Sequence, residues 1–91
     1  MIIFTNTKDI SAKLLYDILM SDFNEFYRDE VKKDNQLAFG IAEENISVQL
    51  ADGTELYNIL VTKVEIVTTP VHEDHEKVGL VLEKFINASL M

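Results

Sequence analysis

The strongest structural pattern in the chain lies in residues 46–67, which read ISVQLADGTELYNILVTKVEIV. The first five residues alternate apolar and polar side chains, which is the period of a strand with one buried and one wet face. Asp52 and Gly53 follow, and glycine accepts the positive φ that a tight hairpin turn requires. Residues 55–67 contain no Gly or Pro and are rich in β-branched and aromatic side chains, so they predict one long second strand.

Two pairings of this hairpin compete. A three-residue loop, with Gly53 in the bulge position of a type I turn, places Leu50 opposite Thr54. A two-residue loop shifts the pairing by one and turns the alternate side chains of the second strand inward, namely Tyr57, Ile59 and Val61. We favour the first pairing because it gathers more apolar residues on one face, namely Ile46, Val48, Leu50, Leu56, Leu60, Val64 and Ile66.

The elements before the hairpin predict a mixed fold. Residues 2–4 indicate a short first strand, which would be added at one edge of the sheet. Residues 10–31 carry apolar rows at helical spacing and predict one long or two short helices, capped by Thr7 or Asp9. Residues 36–42 alternate again and turn into the hairpin, which completes a three-stranded antiparallel meander.

The C-terminal part favours a helix. Pro70 cannot continue a strand ladder, and it suits the first turn of a helix with Thr69 as the N-cap. Gly79 weakens a helix, and residues 78–82 alternatively fit a fourth meander strand. The predicted fold is a single α+β domain over residues 1–91, in the order strand, one long or two short helices, three-stranded meander and C-terminal helix, with the helices on one sheet face.

The charge of the chain excludes some partners. Its 91 residues include 16 acids, eight bases and no Cys, with a net charge of −8. Phosphate backbones and anionic membranes attract positive surfaces, so we expect neither direct nucleic-acid binding nor membrane binding. The absence of Cys fits a reducing compartment, and the N-terminal apolar run MIIF is too short for a secretory signal. We therefore expect a cytoplasmic protein.

The acids are concentrated in residues 43–76, which contain eight acids and one base. If residues 55–67 form one strand, its far end lies beside the turn that precedes the hairpin, and the last helix begins there too. The acids of that turn and that helix start would then form a single patch, made of Glu43, Glu44, Glu73, Asp74 and Glu76. We expect this patch to bind a basic partner, and the alternative is an ordinary solubilising surface.

No catalytic or metal-binding pattern stands out. His72, His75 and Glu76 lie within one helical turn, but their spacing is not that of a metalloprotease motif, and a solvated acidic helix start is the favoured interpretation. The aromatic residues Phe23, Phe26 and Tyr27 are typical of core packing rather than of a ligand pocket. No serine lies in a nucleophile elbow and no glycine-rich phosphate loop is present. We expect no cofactor and no enzymatic activity.

The expected function is that of a non-catalytic protein–protein interaction domain. Residues 10–20 and 57–61 are apolar on more than one side, and one small domain has few elements to cover both, so we expect a homodimer. One alternative is an inhibitor that mimics nucleic acid and occupies a basic groove on a DNA- or RNA-binding protein. The other is a module that binds a small ligand through the aromatic helix or a metal through residues 72–76.

Overall fold

A computed structural model describes residues 2–32, 36–71 and 76–90, except for the side chains of residues 76 and 77. It has two layers, a five-stranded antiparallel sheet and helices that cover one face of it. The strands are β1 (Ile2–Thr5), β2 (Leu37–Ala42), β3 (Asn45–Leu50), β4 (Glu55–Val61) and β5 (Glu65–Pro70), and the helices are α1 (Ala12–Ile18), α2 (Asn24–Val31) and α3 (Glu76–Leu90). The strand order β1-β5-β4-β3-β2 is a meander with β1 added at one edge, so the predicted α+β class is confirmed.

The prediction of one long strand over residues 55–67 is wrong. The chain turns at Thr62, so β4 and β5 are separate strands and the meander has four strands instead of three. The amide of Thr62 donates to the carbonyl of Glu65 at 2.9 Å, and the Thr62 hydroxyl oxygen accepts from the amide of Glu65 at 3.0 Å. A threonine hydroxyl therefore closes a turn that Gly, Asn or Pro more often marks.

The side chain of Asn6 also stabilises this turn. Its side chain is buried, and its amide nitrogen donates to the carbonyls of Ile10 at 2.9 Å and Thr62 at 2.8 Å. Its side-chain oxygen accepts from the amide of Ile10 at 2.9 Å, and its own backbone amide donates to the carbonyl of Val64 at 2.9 Å. One residue thus joins the end of β1, the approach to α1 and the β4–β5 turn.

The favoured pairing of the β3–β4 hairpin is only half right. Its loop is as predicted, because the amide of Leu50 donates to the carbonyl of Thr54 at 2.9 Å and Gly53 has a φ of +93°. The register then shifts after Gln49, and Leu56 is the extra residue of a β-bulge. The alternate set Tyr57, Ile59 and Val61 is therefore buried, and the bulge allows Leu56 to be buried as well.

One continuous helix occupies residues 12–31 and is called the long helix below. Ser11, and not Thr7 or Asp9 as predicted, is its N-cap, and the Ser11 hydroxyl oxygen accepts from the amide of Leu14 at 3.1 Å. Between α1 and α2 the chain forms a π-helical segment, Leu19–Phe23. The helix ends at Lys32, whose left-handed φ of 59° stops it.

The π-helical segment explains the predicted apolar row at a spacing of four. A regular α-helix has 3.6 residues per turn, so residues four apart drift steadily around it. The wider π turn offsets this drift, so residues four apart stay on one side along the whole long helix. The buried row is Leu15, Leu19, Phe23 and Tyr27.

The helix predicted at the C-terminus is confirmed, and it begins later than predicted. Pro70 is the last residue of β5 and lies opposite Tyr57, so it is not in the first turn of a helix. Gly79 lies within α3, and a Cβ at this position would collide with the hydroxyl of Tyr57. None of the helices in the described part of the chain is long and apolar enough to cross a bilayer.

The aromatic side chains of the long helix pack as the core interpretation predicted. Phe23 is fully buried, and its ring meets those of Phe39 at 5.7 Å and Phe85 at 5.2 Å, both edge to face. Phe26 contacts Phe85 at 5.4 Å between ring centroids. These contacts join the long helix to both β2 and α3 and fix the helix layer on the sheet.

Candidate interaction surface

The sheet face opposite the helices is open among the described residues. A row of side chains crosses it from β1 to β3, because Ile3 pairs with Val67, Val67 with Leu60, and Leu60 with Asn45. Ile3 is 55% exposed at one end of this row. The next row is polar and joins Asn58 on β4 to Thr69 and Ser47 on the neighbouring strands. This face is therefore mixed in character.

The outer edge of the sheet at β2 has a different character. Its six residues read LAFGIA and contain no charge and no proline, and each of them pairs with β3 without a shift of register. Natural proteins usually protect an edge strand with lysine, proline, a bulge or a covering segment, since the unpaired backbone groups invite another strand. The β2 edge has none of the first three protections.

The outward backbone groups of β2 can be assigned from one side-chain contact. The amide of Leu37 donates to the side-chain oxygen of Asn24 at 2.8 Å, and its carbonyl accepts from the Asn24 amide nitrogen at 3.1 Å. These Leu37 groups therefore point away from β3. Because orientation alternates along an antiparallel strand, the N–H and C=O groups of Phe39 and Ile41 point outward too. No hydrogen bond to them occurs among the described residues.

One side of the long helix lies over this edge. Asn24 marks that side, because it reaches the β2 backbone. Residues at a spacing of four keep to one side through the π-helical segment, which places Tyr16, Met20 and Arg28 there as well. Met20 is 53% exposed and Tyr16 is half-buried, so both are partly accessible from outside. The β2 edge is thus flanked by apolar and basic side chains.

Two of the predicted partner-binding acids lie next to this edge. Glu43 and Glu44 form the two-residue turn between β2 and β3, and both are exposed. Glu43 has a φ of 55°, the left-handed geometry that short hairpin turns require. The carbonyl of Glu44 accepts from the amide of Val61 at 2.9 Å, which fixes this turn at the end of β4.

The reason for grouping the five acids in one patch is wrong. Since β5 runs back along β4, Pro70 lies opposite Tyr57, and the amide of Val71 donates to the carbonyl of Leu56 at 3.0 Å. The chain thus reaches residue 71 at the end of the sheet opposite Glu44. Glu73 and Asp74 lie outside the described residues, as does the side chain of Glu76, so their part in binding stays a prediction.

The residues of the alternative metal site belong to the same stretch of the chain. His72 and His75 are outside the described residues, and the side chain of Glu76 is too. In the part of the chain that the structure describes, no three His, Cys, Asp or Glu side chains come together to hold an ion.

A cleft of about 440 Å³ lies beside the Glu43–Glu44 turn. The start of α1 forms its other wall, and its charged lining includes Asp9, Lys13 and Lys63 as well as both glutamates. The Lys13 ammonium donates to the Asp17 carboxylate at 2.7 Å, and this bond and charge raise the pKa of Lys13. The cleft therefore holds charges of both signs and does not present a uniform field to a ligand.

Comparison with known proteins adds no relative to this geometry. The chain matches no protein-family model, and no curated protein or solved structure is significantly similar to it.

Proposed function

We propose that the chain is a small acidic, non-catalytic protein–protein interaction domain that forms a homodimer. The observation that carries the proposal is the uncharged β2 edge, whose Phe39 and Ile41 backbone groups point away from β3 and have no hydrogen-bond partner among the described residues. Strand addition to an exposed sheet edge is a common mode of protein recognition, because the backbone supplies the hydrogen bonds. We further propose that the protein acts in the cytoplasm, since a chain without Cys fits a reducing compartment.

The charge distribution supports a partner with basic groups. Two ion pairs occur among the described residues, Lys13 with Asp17 and Lys84 with Glu30. Glu43 and Glu44 take part in neither, and they lie on an exposed turn at one end of the uncharged edge. Exposed charges of this kind set partner choice and association rate more than raw affinity. A basic group on the partner is therefore expected opposite this turn.

Light scattering of the chromatographed protein tests the homodimer. The chain has a mass of 10.4 kDa, and we expect twice this mass at high protein concentration. We also expect the dimer to weaken between low salt and about 0.15 M salt, where exposed charges are screened beyond about 8 Å. A mass of one chain throughout the micromolar range would contradict the proposal.

A further inference from the structure

Building on the proposed homodimer, we infer that the second copy binds along β2 by antiparallel strand pairing centred on Gly40. The two sheets would then continue into one another across a two-fold axis. Such an interface is self-complementary, because each copy presents the same strand to the other. The inference depends on the proposed function only for the existence of a dimer, and it adds which surface holds the dimer together.

The hydrogen-bonding groups of β2 match this pairing. With the axis at Gly40, Phe39 lies opposite the partner's Ile41, and each residue donates its N–H to the carbonyl of the other. These are the outward groups that find no bond among the described residues. Gly40 then faces its own copy at a position without hydrogen bonds, where Cα atoms approach to about 4.5 Å. A residue without a side chain suits this close approach.

The charges at the two ends of β2 are complementary in this arrangement. Antiparallel pairing brings Glu43 and Glu44 of one copy to the end of the other where Asn24 holds Leu37. Arg28 lies one helical turn beyond Asn24 on the same side, and Lys32 follows at the end of the long helix. Arg28 and Lys32 are therefore placed to pair with the partner's acidic turn, next to the exposed acids Glu25 and Asp29 of the same helix.

Self-repulsion between the two acidic chains is also limited by this geometry. The two Glu43 residues lie six strand residues apart across the axis, or about 20 Å at about 3.3 Å per residue. This separation is more than twice the screening length of about 8 Å at physiological salt. A parallel pairing would instead bring the two acidic turns together, so the charge distribution favours the antiparallel one.

Apolar side chains flank the axis. Gly40 lies three residues, or about 10 Å, along the strand from Leu37. On the long helix, Met20 and Tyr16 lie about 6 and 12 Å along the helix axis from Asn24. Gly40 therefore lies between these two side chains along the direction of the strand. Both are on the helix side that lies over the edge, and Met20 is exposed. Tyr16 and Met20 of the second copy would cover the exposed Met20 side chain of the first copy. This contact would add buried apolar surface to the strand pairing.

The other edge of the sheet is a weaker candidate. β1 has only four residues against the six of β2, so it offers a shorter edge for strand pairing. The longer β2 edge offers two outward residues between its Asn24-bonded end and the Glu43–Glu44 turn.

The first test substitutes the edge itself. We expect Ile41→Lys to weaken dimerisation at least about tenfold, because lysine is a natural edge guard and its charge would lie against the partner's Phe39. Ile3→Lys is the matched control, since it makes the same change on β1, and we expect it to leave the dimer mass unchanged. Ile41 is 37% exposed, so the lysine ammonium can reach solvent in the monomer. Equal effects of the two substitutions would overturn the inference.

The second test exchanges charges on exposed residues and does not disturb the core. Glu43→Lys with Glu44→Lys should weaken dimerisation about tenfold, as should Arg28→Glu, and combining all three should restore it to within about threefold. If the wild-type chain is a dimer and neither Ile41→Lys nor the charge exchange changes its affinity, the β2 inference is wrong and the homodimer stands. If the wild-type chain is a monomer, both the proposed homodimer and the β2 inference are wrong.

Discussion

Asn6→Ala should remove three side-chain hydrogen bonds that join β1, the approach to α1 and the β4–β5 turn. The substitution leaves the buried amide and carbonyl of Ile10 and the carbonyl of Thr62 without their side-chain partner. An unsatisfied buried group costs about 1–3 kcal/mol, and water reaching the Thr62 carbonyl would lower the sum. We therefore expect a loss of about 3–5 kcal/mol from the free energy of unfolding, which is a large part of the total for a domain of this size.

Urea unfolding followed by circular dichroism measures this loss. The midpoint should fall with little change in slope, since the surface exposed on unfolding is similar. Asn58→Ala is the matched control, because among the described residues the Asn58 side chain bonds only to Asn45, on the exposed face. Its effect should stay within about 0.5 kcal/mol. If Asn6→Ala costs less than about 1 kcal/mol, the hydrogen bonds assigned to Asn6 do not hold the β4–β5 turn.

Three further predictions concern single backbone positions. Gly53→Val should destabilise the fold by about 1 kcal/mol or more, because a β-branched residue resists a φ of +93°, and an unchanged melting temperature would contradict this. Glu43→Gly should raise the free energy of unfolding by about 0.5–1 kcal/mol, because glycine adopts a φ of 55° without strain. A lower midpoint in urea unfolding would show that the turn is not strained. Gly79→Ala should lower the melting temperature, because the added Cβ would collide with the Tyr57 hydroxyl. Alanine is favoured over glycine in a helix by about 1 kcal/mol, so a gain in stability would refute that contact.

The parts of the fold that were predictable from the sequence are those encoded locally. Alternation in residues 46–50 and the glycine at position 53 indicated the hairpin and its loop, and the structure confirms both. The apolar pattern of the sequence did not indicate the bulge at Leu56. Both Leu56 and Tyr57 are apolar, so either register buries a set of apolar side chains. Periodicity alone does not distinguish two such registers.

The β4–β5 turn could not be predicted, because it depends on a distant residue. The carbonyl of Thr62 bonds to the side chain of Asn6, which is 56 positions away, and Thr62 itself is a common strand residue. Because this turn was not predicted, the chain was expected to enter α3 at the wrong end of the sheet. That error was the reason for grouping five acids in one patch. Glu43 and Glu44 were correctly expected on a turn, while the place of Glu73, Asp74 and Glu76 stays a prediction.

The β2 edge was missed for a related reason. The alternation in residues 36–42 indicated a strand, but the position of a strand within a sheet depends on topology and not on its own residues. The signal that was available is the absence of any charge or proline in residues 37–42 of a chain with net charge −8. Such a segment stands out as unprotected once it is placed at an edge.

Amide hydrogen exchange at Phe39 and Ile41, measured against protein concentration, tests the pairing of β2 most directly. The amides of Ala38, Gly40 and Ala42 point toward β3 and are protected in either state, so they provide an internal reference. If β2 pairs with a second copy, Phe39 and Ile41 should be protected like Gly40 at high concentration and should exchange much faster on about 100-fold dilution. Fast exchange of both amides at every concentration, in a protein that light scattering shows to be a dimer, would contradict the account.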